Sequence, residues 1–226
     1  MPRLPLYTCA VTAAALLLPL AAAPAAQAQD PDPVVFVHGF LGKGDQWSAM
    51  IEEFEDRGHP EERLHTFEYD SLRSNMTIAS QLSNFVDDIL ADTDASQVDM
   101  VTHSMGGLSS RWYLKELDGA DNVGDWVSLG GPNNGTSVAG YCSVLITPCQ
   151  EMKAGSDFLN QLNADDPTPG NVAYTTFRSP CDLVISPVDS TVLDGADNRQ
   201  TSCLGHIGMM SDDDVVTEVY DTVAGR

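Results

Sequence analysis

Lysine and arginine are scarce in this chain: 11 of them stand against 33 aspartates and glutamates, for a formal net charge of -22 over 226 residues. A surface so poor in cations cannot neutralise a run of backbone phosphates, which excludes nucleic acid as a partner. It is also repelled by anionic lipid headgroups. The acidity suits a soluble exported protein or one adapted to salt, and composition does not separate the two. None of the five cysteines forms a CxxC pair, so a zinc cluster is not expected. No segment repeats at the period of about 20 to 50 residues that marks solenoids and propellers. The longest apolar run, Ala10 to Ala23, is too short to cross a bilayer.

That run belongs to an N-terminal pattern of another kind. Arg3 precedes it and Ala26-Gln27-Ala28 follows it. A basic start, a short apolar stretch and a small-x-small site form the layout of a secretory leader. The expected cleavage follows Ala28, so that 1–28 is a signal peptide and 29–226 a single domain. Removing 28 of the 226 residues leaves 198, enough for one full core but not for a large second domain. Cys9 leaves with the leader. Cys142, Cys149, Cys181 and Cys203 remain, an even number that favours two disulfides in an exported, extracellular protein.

Strand and helix patterns alternate along the mature chain. Val34 to Val37 is a continuous β-branched and aromatic run, the mark of a buried parallel strand. A glycine-rich loop follows, then a helix expected over 47–54 and a second strand over 64–69. Ile78, Leu82, Phe85, Val86, Ile89 and Leu90 recur at helical spacing. A third strand is expected over 98–102 and a helix over 106–117, with Gly119 as its stop. A fourth strand covers 126–129. The stretch 132–171 reads as an irregular insertion holding one short helix, 156–162. A fifth strand covers 172–177, and a short sixth ends near Cys203. Ser211 is the expected N-cap of the last helix, and Asp212, Asp213 and Asp214 suit its dipole better than they suit a metal site. The sum is an α/β architecture on a mostly parallel six-stranded sheet without a large lid domain.

Thr102-His-Ser-Met-Gly-Gly107 sits where the third strand gives way to a helix. It resembles the G-x-S-x-G nucleophile elbow of the α/β-hydrolase fold, with Thr102 in place of the first glycine. A strand–turn–helix corner this tight forces the serine into a strained conformation and needs small neighbours two residues away. Ser104 is then the nucleophile. In this fold the oxyanion hole takes one N–H from the residue after the nucleophile, here Met105, and one from the loop after the first strand, here Phe40 behind His38-Gly39. His38 itself reads as a structural hydrogen-bonder. The chain order Ser, acid, His leaves one of the five histidines as the base, since only His206 follows Ser104. Asp182, the first carboxylate after the fifth strand, is the expected acid, with Asp189 and Asp194 as competitors. If Asp182 and His206 meet, Cys181 and Cys203 are close neighbours, which favours Cys181–Cys203 and Cys142–Cys149 among the three possible pairings.

The motifs Pro33-Val-Val-Phe-Val-His-Gly39, Val98-Asp-Met-Val-Thr-His-Ser-Met-Gly-Gly107, Leu129-Gly-Gly-Pro-Asn133, Cys181-Asp-Leu-Val184 and Gly205-His-Ile-Gly208 together resemble the small secreted bacterial triacylglycerol lipases of class 2. The resemblance implies a Ser104–Asp182–His206 triad, oxyanion donors at Phe40 and Met105, and ester hydrolysis with no cofactor and no metal. It implies a lipid or small-molecule ester as substrate, a monomer, and at most transient contact with a lipid interface. Two departures stand out. Thr102 occupies a position where relatives often have alanine, and 132–171 is longer than in the smallest lidless members. Short-chain esterase, polyester hydrolase and thioesterase activities use the same machinery, as does a cofactor-free perhydrolase. A catalytically dead binding protein on this fold usually lacks a triad member, and here all three are present.

Overall fold

The computed structural model describes Met1 and residues 30–224. Apart from Met1, the leader expected over 1–28 lies outside the described residues. The described residues from 31 on form one compact unit, described below by itself.

Among the described residues the sheet has six strands: β1 (Val34–Val37), β2 (Leu64–Phe67), β3 (Val98–His103), β4 (Val123–Leu129), β5 (Ala173–Arg178) and β6 (Asp197–Gln200). They run in the order β2-β1-β3-β4-β5-β6, and every pairing is parallel. The helices between them are α1 (Ser48–Asp56), α2 (Asn75–Thr93), α3 (Gly106–Glu116), α4 (Thr147–Glu151), α5 (Asp157–Leu162) and α6 (Asp213–Ala224). Among the described residues no helix is long and apolar enough to cross a membrane.

The strand side chains show why the runs are continuously apolar. Val35, Val37 and Met100 enter one core with Ile78, Leu82 and Val86 of α2 and Leu108 and Trp112 of α3. Val34, Phe36, Val101 and Val127 enter a second core with Met50 and Phe54 of α1 and Val215, Val216 and Val219 of α6. Alternate residues therefore bury on opposite faces, and polar residues have no place in β1. Each such side chain contributes roughly 1.5–3 kcal/mol from burial.

The strand order reverses between β1 and β3. In open parallel sheets that reversal opens a crevice beyond the carboxyl ends of the two strands. Phe40 follows β1 and Ser104 follows β3, so both expected site residues from the first half of the chain lie at this point.

Several expected boundaries shift. Gly119 does not stop α3. The left-handed residue after that helix is Asp118, at φ 57°, and Gly119 opens a 3-10 turn. Asp212, not Ser211, caps α6, because its Oδ1 accepts from Val215 N–H at 3.3 Å. The insertion is more ordered than expected. Besides α5 it holds α4 and a 3-10 turn over Ser137–Tyr141. Strand β6 ends at Gln200, before Cys203.

Candidate active site

Ser104 sits at the carboxyl end of β3 with φ 53°. A non-glycine residue held there costs of order 1–3 kcal/mol, which the surroundings must over-determine. They do. Ser104 N–H donates to Leu129 O on β4 at 2.9 Å, and Gly107 N–H donates back to Ser104 O at 3.0 Å. The small residues are obligatory. A Cβ on Gly106 would come within 2.5 Å of the Val37 and His38 carbonyls, and one on Gly39 within 2.8 Å of Ser104 Cβ. The loop after β1 and the elbow are thus packed closely against one another.

That packing brings the two expected donor residues together. Phe40 and Ser104 border the same cavity, and Met105 is the residue from which α3 starts. Among the described residues neither the Phe40 nor the Met105 N–H has a hydrogen-bond partner. Two unengaged donors, one of them at a helix N-terminus, suit a developing negative charge.

His206 and Asp182 meet from separate loops. His206 Nδ1 lies 2.7 Å from Asp182 Oδ2, and both residues are buried. Asp182 Oδ1 accepts from Val184 N–H at 2.8 Å and Ile185 N–H at 2.9 Å. Burial works to raise the Asp182 pKa, but the His206 hydrogen bond, the His206 charge and these two N–H groups outweigh it and hold the carboxyl below its ordinary value. A carboxylate fixed at both oxygens fixes the ring as well, with Nδ1 as donor and Nε2 left as acceptor. Asp189 and Asp194 do not take this place. Asp189 lies 3.4 Å from Arg178 Nε, and the two aspartates border a separate cleft with Asn134 and Asn163.

Ser104 and His206 line one cavity of about 310 Å³. The Ser104 hydroxyl makes no hydrogen bond to His206 here, and such bonds are commonly long before substrate binds. The cavity walls are apolar. Val138, Ala139, Cys142 and Met152 come from the insertion, and Val184, Ile185 and Ile207 from the Asp182 and His206 loops.

The structure pairs Cys142 with Cys149 and Cys181 with Cys203. The second bridge links the loops that carry Asp182 and His206. Buried Ser179 reinforces it: its hydroxyl donates to Leu204 O at 2.6 Å and accepts from Leu204 N–H at 2.9 Å. Removing the bridge by Cys181→Ser with Cys203→Ser frees a 22-residue separation. In the chain-entropy model this costs about 3 kcal/mol, equivalent to a fall in Tm of about 6–12 °C at this size. Calorimetry and steady-state kinetics on the double variant should show both the lower Tm and a lower kcat. An unchanged kcat would mean that Asp182 and His206 hold their geometry without it.

His103 is a residue whose role the sequence reading missed. Its Nε2 lies 3.1 Å from His206 O, and its ring packs on the His206 ring with centroids 4.6 Å apart. Burial first, then the neighbouring His206, push its pKa down to about 3. It is therefore neutral, and its Nε2–H donates to the His206 carbonyl. Its place at the end of β3, beside Ser104 in sequence, carries no sign of this contact. His38 behaves as expected of a structural group: its Nδ1 lies 2.9 Å from Gly39 O, and it stacks on Tyr69 at 4.0 Å.

Comparison with known proteins agrees with this architecture. The solved structure of lipase B from Aspergillus fumigatus superposes with a TM-score of 0.74 at 16% identity, covering 86% of this chain and 53% of that one. The mature form of lipase BlEst2 from Bacillus licheniformis superposes at 0.72 and 16% identity, covering 84% and 91%. At such identity the likeness is one of fold, the α/β-hydrolase fold. In sequence, a triacylglycerol lipase from Burkholderia plantarii is 29% identical over 135 residues, which are 55% of this chain but only 37% of that relative. The model of the family "Lipase (class 2)" matches residues 31–215, the greater part of the chain, and the protein belongs to that family.

Proposed function

We propose that this protein is a serine ester hydrolase acting by two-step acyl transfer, and that its substrates are lipid esters, triacylglycerol foremost. The observation that carries the reading is the 2.7 Å contact of His206 Nδ1 with Asp182 Oδ2, on the wall of the cavity that Ser104 enters from a positive-φ elbow. In this mechanism His206 Nε2 takes the proton from Ser104 Oγ as the oxygen attacks the ester carbonyl. The N–H groups of Phe40 and Met105 receive the oxyanion. The alcohol leaves with the proton from His206, and water then resolves the acyl-enzyme by the same route. Asp182 holds the tautomer and stabilises the imidazolium.

The surface around the cavity supports a lipid over a small soluble ester. Tyr141, Val144, Leu145 and Leu183 are more than four-fifths exposed, and Leu41 and Ile207 more than half. All lie on the loops that border the cavity. Exposed apolar side chains gathered in one region mark contact with another apolar phase. With a net charge of -22, that phase is an uncharged lipid surface rather than an anionic bilayer. The two disulfides support an oxidising, extracellular destination, reached through the leader at 1–28 and cleavage after Ala28. The protein acts as a monomer.

A series of p-nitrophenyl esters from acetyl to palmitoyl, run beside emulsified triglyceride, tests the reading. Turnover that rises with chain length and extends to the emulsion is the expected result. Activity confined to the shortest soluble esters would overturn the lipid assignment, and no turnover of any ester would overturn the hydrolase assignment.

A further inference from the structure

Residues 136–152 form one wall of the cavity, and the Cys142–Cys149 bridge ties only its middle. The segment is closed on itself by Thr136 N–H, which donates to Met152 O at 2.9 Å. Thr136 also joins it to the Asp182 loop, since its hydroxyl donates to Val184 O at 2.6 Å and accepts from Ser186 N–H at 3.1 Å. Neither contact says what holds the wall against the body of the protein.

Glu151 does that. It is the last residue of α4 and the direct neighbour of Met152, which lines the cavity. Its side chain is buried and turns away from the cavity onto the start of α2. One carboxylate oxygen accepts from the Ser74 hydroxyl. The other accepts from Asn75 N–H at 2.7 Å and from Asn75 Nδ2 at 2.8 Å. Ser74 is the N-cap of α2 and Asn75 its first residue. The carboxylate therefore meets an unsatisfied N–H and the positive end of a 19-residue helix, where a negative charge is favoured. Among the described residues no lysine or arginine joins this cluster, so it is a latch made of three donors and one carboxylate.

We propose that Glu151 is a positioning residue for acyl-chain selectivity. By latching the 136–152 wall onto α2 it sets where Met152 and Ala139 stand, and with them the depth of cavity open to the distal part of a long acyl chain. It lies outside the reacting group: its carboxylate bonds to Ser74 and Asn75, whereas Ser104 is held by Leu129 of β4 and the Asp182 and His206 loops by the Cys181–Cys203 bridge. A short acyl group occupies the part of the cavity next to Ser104 and does not reach this wall. The inference rests on the ester-hydrolase reading above.

Glu151→Ala, which removes all three hydrogen bonds, tests it over the same ester series. The expected result is a fall of about tenfold or more in kcat/KM for esters of about twelve carbons and longer, carried mainly by KM, with the acetyl and butyryl esters within about twofold of the parent. Glu151→Gln should restore long-chain turnover to within about threefold, because its amide oxygen still accepts from Asn75 while its amide N–H can donate to the Ser74 hydroxyl. If Glu151→Ala fails to fold, Ser74→Ala with Asn75→Ala removes two of the three hydrogen bonds from the other side, leaving the Asn75 backbone N–H, and should show the same selective loss in smaller measure. A loss equal at all chain lengths, or none at any, overturns the proposal while leaving the hydrolase reading intact. A parent protein that turns over no ester overturns both.

Discussion

Ser104→Ala should lower kcat for ester hydrolysis by about a millionfold, to the level left by binding and the oxyanion hole, with the fold unchanged. The hydroxyl makes no hydrogen bond to His206, and alanine meets the same φ of 53° with the same Cβ, so little structure is lost. Asp182→Asn should cost about four orders of magnitude. Its amide must still accept from Val184 and Ile185 N–H. That turns the NH2 toward His206 Nδ1 and selects the tautomer whose Nε2 carries a proton and cannot act as base. Steady-state kinetics and circular dichroism on both variants check this. A loss of only a few-fold at either position would remove the covalent step from Ser104 or the acid role from Asp182, and a larger loss at Asp189→Asn would move that role.

Acid should destabilise this protein from about pH 6.5 downward. Burial pushes the pKa of His38, His59 and His65 below the ordinary value of 6.5 and takes His103 to about 3. Between the unfolded and folded values the unfolded chain binds protons that the folded chain refuses, so stability falls as pH falls. His103 alone changes stability by about 1.4 kcal/mol per pH unit across that window. At pH 4.5 this amounts to about 2–3 kcal/mol, a fall in Tm of about 5–10 °C for a chain of this size. Asp182 adds to the loss only at lower pH, between the ordinary value of 3.8 and its own depressed pKa, where the unfolded chain is protonated and the folded one is not. Thermal melts from pH 7 to 4 measure the slope. His103→Gln keeps a donor for the His206 carbonyl but does not titrate, and should flatten the slope by about one proton. An unchanged slope would mean that His103 is not buried neutral.

How far the sequence could be read depended on whether a feature is local. The elbow is legible because a strained corner writes small residues at fixed distances from Ser104. His206 and Asp182 follow from chain order, and the Cys181–Cys203 pair from the proximity that order implies. Val34 to Val37 reveals a parallel strand because both faces are buried. What stayed hidden is carried by contacts across long sequence separations. Glu151 reaches the start of α2 from 76 residues away, and His103 meets His206 across 103; neither leaves a periodic trace. Helix α4 spans five residues, too few to show helical spacing. The misplaced cap on α6 has a simpler cause: Ser211 and Asp212 are both good caps, and only the backbone decides which side chain faces Val215.

Reaction with a fluorophosphonate followed by peptide mapping tests the central claim most directly. The account predicts one adduct per chain, on Ser104, slowed by ester substrate and by His206→Ala and absent in Ser104→Ala. Ester turnover that persists in an unlabelled protein, or an adduct on another serine that abolishes activity, would contradict it.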